Sequence, residues 1–100
     1  MKLLLITAIR EFESDIKKIL KKAQVHSYSY RDVRGFKNNT EAIESNWFGS
    51  ELHETESTLF YAFVPKSNCE AIVDAVNKFN AQQESRSHIH LAVLAIEQSN

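Results

Sequence analysis

The sequence has few cysteines and glycines and no excess of positive charge, which excludes several classes of protein. The chain of 100 residues has one cysteine, Cys69, so it forms no internal disulfide, which is typical of a reducing compartment. Its two glycines, Gly35 and Gly49, are too few for a loop that cradles phosphates. Twelve lysines and arginines nearly balance thirteen aspartates and glutamates, and the net charge of −1 gives no basis for nucleic-acid binding.

Long apolar runs are also missing. No segment approaches the ~20 apolar residues of a membrane span, so direct membrane insertion is not expected. The apolar run after Lys2 is too short for a signal peptide and lacks a small-residue cleavage site. We therefore expect a cytoplasmic protein. Because neither a Ser-His-Asp order nor paired catalytic carboxylates appear, we do not expect an enzyme.

The residues that are present suffice for one domain over residues 1–100. The chain is 43% hydrophobic and 10% aromatic, which allows a real core. A chain of this length buries only about two thirds of its unfolded surface, so association with further copies would add stability.

The hydrophobic pattern predicts four strands and two helices in the order βαββαβ. Alternating apolar residues indicate the strands, and apolar residues at helical spacing indicate the helices. A capping box, Ser67-Asn68-Cys69-Glu70, is expected to begin the second helix. The predicted strands are residues 2–9, 25–35, 57–64 and 88–96, and the helices are residues 12–23 and 67 to about 82.

Two βαβ halves with right-handed crossovers give a ferredoxin-like α+β fold. It has a four-stranded antiparallel sheet, two helices on one face, and a long loop at about residues 37–56 between the second and third strands. The first and fourth strands are apolar on both sides, so the second face of the sheet needs a cover. We expect a homotrimer to provide it.

Short motifs end the first two predicted strands. The first strand ends in an aliphatic, basic, Phe signature with one extra residue, and the second strand ends in an acidic-Val-basic-Gly-Phe signature. These motifs and three further stretches resemble the P-II signalling family and its P-II-like relatives, so the resemblance covers nearly the whole chain. The similar stretches are Ile9-Arg10 with Phe12, Asp32-Val33-Arg34-Gly35-Phe36, Thr40-Glu41, residues 69–79 and residues 88–96.

The resemblance implies a regulatory trimer that binds a small ligand in clefts between its subunits. Its long loop would dock on a partner protein, such as a membrane transporter or an enzyme. The positive residues near the loop base are expected to hold an anionic metabolite, although simple surface charge would explain them as well. The residues expected at this cleft and loop base are Arg31, Arg34, Gly35, Phe36, Lys37 and His88.

Two departures from the family pattern bear on the ligand. No tyrosine lies between Tyr30 and Tyr61, so the modifiable tyrosine of the family loop is absent. The family holds ATP phosphates partly with basic residues before and after the last strand. Here His88 stands in the first place, and no arginine follows Ile96. Phosphates need guanidinium, ammonium or backbone N–H donors, so an adenine nucleotide is not expected in the usual manner. The cofactor stays unknown.

The loop carries large aromatic residues in a polar context. Trp47 and Phe48, followed by Glu51, either anchor a partner protein or pack back onto the body or a neighbouring subunit. Tryptophan is enriched among residues that dominate binding at interfaces, so these three form the predicted docking segment.

Histidines next to carboxylates suggest a second function. Between Asn38 and Pro65 the chain has five glutamates and no lysine or arginine, and His53 lies among them. Imidazole and carboxylate together suit divalent transition metals, although solvated acids are the simpler interpretation, and no spacing matches a strong zinc signature. The alternative function is therefore divalent heavy-metal binding or tolerance by a trimer of the same fold. Its possible ligands are His53, Glu54, His88 and His90.

Overall fold

The computed structural model describes residues 1–36 and 55–100. A short 3-10 turn, Arg10–Phe12, leads from the first strand into the first helix. None of the helices in the described residues is long and apolar enough to cross a membrane. The strands are β1 (Lys2–Ile9), β2 (Ser29–Gly35), β3 (Thr55–Val64) and β4 (His90–Ala95), and the helices are α1 (Glu13–Lys22) and α2 (Lys66–Ala81).

The four strands form one antiparallel sheet in the order β2-β3-β1-β4. The central pair is longest, and it runs from Lys2 opposite Val64 to Ile9 opposite Ser57. This order, with a helix between β1 and β2 and another between β3 and β4, is the ferredoxin-like α+β fold. The fold predicted from the hydrophobic pattern is confirmed.

The core lies between the sheet and the two helices. Alternate residues of β1 and β3 point toward the helices, whose apolar sides cover them. Amphipathic helices and half-buried strands arise because the sequence repeats its apolar residues with periods of 3.6 and 2. The buried core includes Leu4, Ile6, Ala8, Ile16, Leu20, Phe60, Ala62, Val64, Ile72 and Val76.

The opposite face of the sheet is apolar and uncovered in the single chain. Cross-strand pairs place Leu3 beside Phe63 and Leu94, and Leu5 beside Tyr61 and Ala92. Phe63 is 62% exposed, Tyr61 is 40% exposed and Leu94 is 39% exposed. We call these six residues the open face. A contiguous apolar surface of this kind is typical of an interface with another protein chain.

The second strand begins later than predicted, because residues 23–25 form the hydrogen-bonded turn that ends α1. Gln24 has a φ of 66°, the left-handed conformation that ends many helices. Its N–H donates to the carbonyl of Lys21 at 3.0 Å, and the N–H of Val25 donates to the carbonyl of Leu20 at 2.9 Å. Val25 therefore closes the helix instead of opening the strand at residue 25, and β2 begins at Ser29.

The predicted capping box of the second helix is wrong. The Pro65 carbonyl already accepts a hydrogen bond from the Asn68 N–H at 3.0 Å, so the first turn begins before Ser67. The Ser67 hydroxyl donates to Oδ1 of Asn68 at 3.2 Å and caps no backbone N–H. Pro65 is the residue before the helix, and α2 begins at Lys66.

The last strand is also shorter than predicted, and its start is set by α2. The side chain of Asn80 donates to the carbonyl of Ile89 and accepts from the N–H of Ile89, both at 2.8 Å. Ile89 is therefore held by a helix side chain, and pairing with β1 begins at His90 opposite Thr7.

Candidate functional site

The predicted ligand residues gather at one end of the sheet. Gly35 at the end of β2 pairs with Thr55 at the start of β3, and Ile9 at the end of β1 pairs with Ser57. His90 begins β4 opposite Thr7, close to the same end. We call this the loop end, because the chain leaves it after Phe36 and returns to it at Thr55.

A concave site of about 460 Å³ lies at the loop end, and we call it the loop-base cleft. Three elements build it: the turn after β1, the edge strand β2 and the start of β3. Arg31 and Arg34, both expected from the sequence to hold an anionic ligand, line this cleft together. The lining residues are Arg10, Arg31, Asp32, Val33, Arg34 and Glu56.

Arg10 joins the three elements by two ion pairs. Its Nη1 donates to Oε1 of Glu56 at 2.7 Å, and its Nη2 donates to Oδ2 of Asp32 at 3.1 Å. The side chains are largely solvent-exposed, at 48% for Arg10, 62% for Asp32 and 78% for Glu56, so these pairs contribute little to stability. Their effect is electrostatic, because Arg10 offsets two carboxylates that would otherwise repel an anion in the cleft.

Counted over the described residues, the lining of the cleft has a formal charge of +1. It contains three arginines and two carboxylates, and both carboxylates are paired with Arg10. Within residues 1–36 and 55–100, Arg31 takes part in none of the ion pairs, and it is exposed. A guanidinium is planar, is always charged at neutral pH and matches carboxylate or phosphate oxygens in pairs.

In the sequence, Arg10 stands out only as part of the family signature and not as a residue of the site. Its partners are 22 and 46 residues away along the chain, so spacing gives no hint of these pairs. A usable signal was present in the fold. Arg10 directly follows β1, and the pairing of Ile9 with Ser57 brings it close to Glu56 on β3 and to Asp32 on the neighbouring strand.

The remaining residues of the predicted cleft have different surroundings. Gly35 is buried in the last pair of β2, and Phe36 is 67% exposed. Lys37 lies outside the described residues, as does the predicted docking segment of Trp47, Phe48 and Glu51.

His88 does not lie near Arg31 and Arg34 within one chain. The strand order places β4 and β2 at opposite edges of the sheet, about 14 Å apart at the usual spacing of ~4.8 Å between strands. His88 and His90 are both partly buried, and His88 precedes β4, so the two histidines do not share one strand. A site that contains both His88 and the arginines needs a second copy of the chain.

The predicted metal ligands are only partly within the described residues. His53 and Glu54 lie outside them. Where the structure describes the chain, no group of three or more histidine, cysteine, aspartate or glutamate side chains is placed to hold a metal ion. His88 and His90 therefore form no such group with the other side chains in that part of the chain.

Comparisons with known proteins find likeness in structure and not in sequence. No protein-family model matches the chain, and no curated protein sequence matches it. A DUF3240 family protein from Shewanella baltica OS155 superposes with a TM-score of 0.67 at 17% identity, covering 99% of this chain and 92% of that one.

A second solved structure is similar to the same extent. It is CPII, a nitrogen regulatory PII-like protein from Thiomonas intermedia K12, bound to ADP, AMP and bicarbonate. It superposes with a TM-score of 0.64 at 12% identity, covering 99% of this chain and 94% of that one. Identities this low establish fold alone. The two superpositions, together with the strand order, show that this chain has a P-II-like fold with a sequence that differs widely from both structures.

Proposed function

We propose that this chain is a P-II-like regulatory protein that binds a small anionic ligand at the loop-base cleft and docks on a partner protein through the segment between β2 and β3. The observation that carries the proposal is that Arg31 and Arg34 both line the cleft where that segment leaves the sheet, and that the described lining has a formal charge of +1. A ligand held there lies where the segment joins the sheet, so ligand binding and partner docking would be coupled.

The ligand class follows from the charges of the cleft. CPII, which shares this fold, is bound to ADP, AMP and bicarbonate, which are all anions. Here the cationic groups belong to β2 and the turn after β1, and the tail after Ile96 has no arginine. This distribution favours a compact anion with one phosphate or carboxylate, such as AMP or bicarbonate, over a triphosphate. Gly35, Phe36 and Lys37 complete the binding residues at the loop base.

The proposed assembly is a homotrimer that covers the open face. Phe63, Tyr61 and Leu94 would lose their solvent-exposed area there, and each ~100 Å² of apolar surface removed from water stabilises association by about 2.5 kcal/mol before the costs of association. Assembly would also bring His88, which lies at the far edge of the sheet from Arg31 and Arg34, next to these arginines of another subunit. In the proposed site, Arg31 and Arg34 meet His88 of the partner subunit.

The proposed partner is a membrane transporter or an enzyme, and the chain itself is proposed to be a cytoplasmic, non-enzymatic regulator. Trp47 and Phe48 are the proposed anchors, with Glu51 beside them, because large aromatic side chains supply most of the binding energy at many interfaces. Their substitution by alanine should weaken partner binding without changing ligand affinity.

The divalent-metal alternative receives less support. Its case now rests on His53 and Glu54, since the described residues contain no group of three metal-binding side chains. Calorimetry with zinc, copper and nickel tests it. Binding tighter than about 100 μM that is lost in His53→Ala would favour it, whereas weaker binding would remove it.

Isothermal calorimetry with AMP, ADP and bicarbonate tests the proposed function. The double variant Arg31→Ala/Arg34→Ala should bind the preferred anion roughly 10- to 100-fold more weakly, because it loses charge-assisted hydrogen bonds. Lys66→Ala removes a cation from the start of α2, at the other end of the sheet, and should leave the affinity unchanged. Equal affinity in the double variant and the wild type would contradict the proposal.

A further inference from the structure

A groove lies between the two helices, on the exposed side of the helix layer. The helices are fastened to each other near both of its ends. Nδ2 of Asn68 donates to the carbonyl of Ala23 at 3.1 Å, and the rings of Phe12 and Phe79 meet edge to face with centroids 5.0 Å apart. Between these contacts the helices leave a concave site of about 600 Å³. We call it the helix groove.

Small residues create the helix groove, and apolar residues form its floor. Ala71 and Ala75 lie four residues apart on one side of α2, opposite Ile19 of α1. A larger side chain at either alanine would fill the space that the groove occupies. Ile19 and Phe79 are half-buried, so their exposed parts give the floor a hydrocarbon surface. The volume falls within the ~300–1,000 Å³ typical of small-molecule sites.

Lysines from both helices border this floor. Lys18 and Lys22 lie four residues apart on α1, and Lys78 lies across the groove on α2. Within the described residues, none of the three takes part in an ion pair. Asp15 and Asp74 also line the groove, so the lining has a net charge of +1, in a chain whose overall charge is −1.

We propose that the helix groove binds an amphiphilic monoanion, a free medium-chain fatty carboxylate. Its hydrocarbon chain would lie on the floor formed by Ile19, Ala71, Ala75 and Phe79, and its carboxylate would accept hydrogen bonds from the lysine ammonium groups.

The net charge of the lining selects this class of ligand. A single carboxylate matches a net charge of +1, whereas a dianion would also be repelled by Asp15 and Asp74. A flat lipid surface would contact the lysines of the rim but would leave the recessed floor empty. The groove is separate from the loop-base cleft in its lining residues, so this site stands independently of the proposed regulatory function.

Calorimetry with dodecanoate, below its micelle concentration and on the full chain, tests the proposal. The wild type should bind one dodecanoate per chain. Lys18→Glu/Lys78→Glu should weaken the affinity by about tenfold or more, and Ala75→Leu should abolish binding by filling the groove. Lys66→Glu makes half of that charge change, outside the groove, and should leave the affinity within about twofold of the wild type, well below the tenfold that corresponds to ~1.4 kcal/mol.

A ligand with the opposite head charge separates recognition of the carboxylate from purely hydrophobic binding. Dodecyltrimethylammonium has the same hydrocarbon chain with a cationic head, and its binding should not be weakened by the glutamate substitutions. Phe63→Lys changes the open face and should leave dodecanoate binding intact. The proposal is overturned if the wild type shows no saturable binding, if Lys18→Glu/Lys78→Glu binds dodecanoate like the wild type, or if the lysines govern binding to anionic vesicles or acidic peptides but not to dodecanoate.

Discussion

Asn80 fixes the start of β4, and its replacement by alanine should destabilise the whole fold. Its side-chain amide satisfies both backbone polar groups of Ile89, with two hydrogen bonds of 2.8 Å. The Ile89 side chain is 2% exposed and belongs to the core. The same contact holds the residues on either side, His88 and His90, near the loop end.

The magnitude follows from the two lost hydrogen bonds. Each contributes about 0.5–1.5 kcal/mol net, and a partly buried N–H or carbonyl left without a partner costs about 1–3 kcal/mol. Water that reaches the N–H and carbonyl of Ile89 in the variant would reduce this penalty. We therefore expect Asn80→Ala to lower the free energy of unfolding by about 2–4 kcal/mol. For a domain of this size that corresponds to a fall in Tm of roughly 10–20 °C.

Urea and thermal unfolding at one fixed protein concentration measure the effect, since assembly makes Tm depend on concentration. Asn77→Ala is the matched control, because Asn77 is an exposed residue of the same helix and alanine is the better helix former. It should be neutral or slightly stabilising. If Asn80→Ala falls within about 0.5 kcal/mol of Asn77→Ala, the hydrogen bonds to Ile89 do not support the start of β4 as described.

Three further predictions follow from the other contacts. Arg10→Ala should lower the free energy of unfolding by less than about 1 kcal/mol, because the ion pairs of Arg10 are exposed. It should nevertheless weaken AMP binding in calorimetry, because Asp32 and Glu56 would then repel the anion. An unchanged affinity would contradict this. The Tyr30 hydroxyl accepts a hydrogen bond from the Lys17 ammonium group, which raises the pKa of Lys17 above 10.5. This stabilisation is therefore present below pH 10.5 and is lost as the pH rises through the raised pKa. Tyr30→Phe should lower the pKa of Lys17 in an NMR titration, and an unchanged pKa would refute the assignment. Phe63→Lys places a charge on the open face. The mass measured by light scattering should therefore fall from that of a trimer to that of a monomer. An unaltered mass would mean that the subunit interface lies elsewhere.

The sequence predicted the element order because the hydrophobic periods are long and regular. It missed the exact starts of β2, β3, α2 and β4, because hydrogen bonds between particular residues decide them. The third strand was predicted to begin at residue 57, but it begins at Thr55, which pairs with Gly35. The left-handed Gln24 forms the turn that ends α1, and the Asn80 side chain hydrogen-bonds both backbone polar groups of Ile89. The hydrophobic period does not predict such contacts. The turn at Gln24 depends on a single backbone angle, and the hydrogen bonds of Asn80 join a helix to the residue before a strand.

The candidate site was predictable where a motif lies on one strand and not where distant residues meet. The Asp-Val-Arg-Gly-Phe stretch placed Arg34 at the end of β2, where the structure has it. The pairing of Arg10 with Asp32 and Glu56 depends on the register of three strands, which a single sequence does not state. The position of His88, at the far edge from Arg34, follows from the strand order.

Mixing two defective variants tests most directly the central claim, that the proposed ligand site is shared between subunits. Arg31→Ala/Arg34→Ala lacks the cations of β2, and His88→Ala lacks the histidine at the opposite edge of the sheet. Each variant alone should bind AMP weakly. After co-refolding, about one quarter of the sites in random trimers should regain both sets of residues, and wild-type affinity should return at that fraction of sites. A mixture that binds no better than the average of its parents would contradict a site built from Arg31, Arg34 and His88 of the partner subunit.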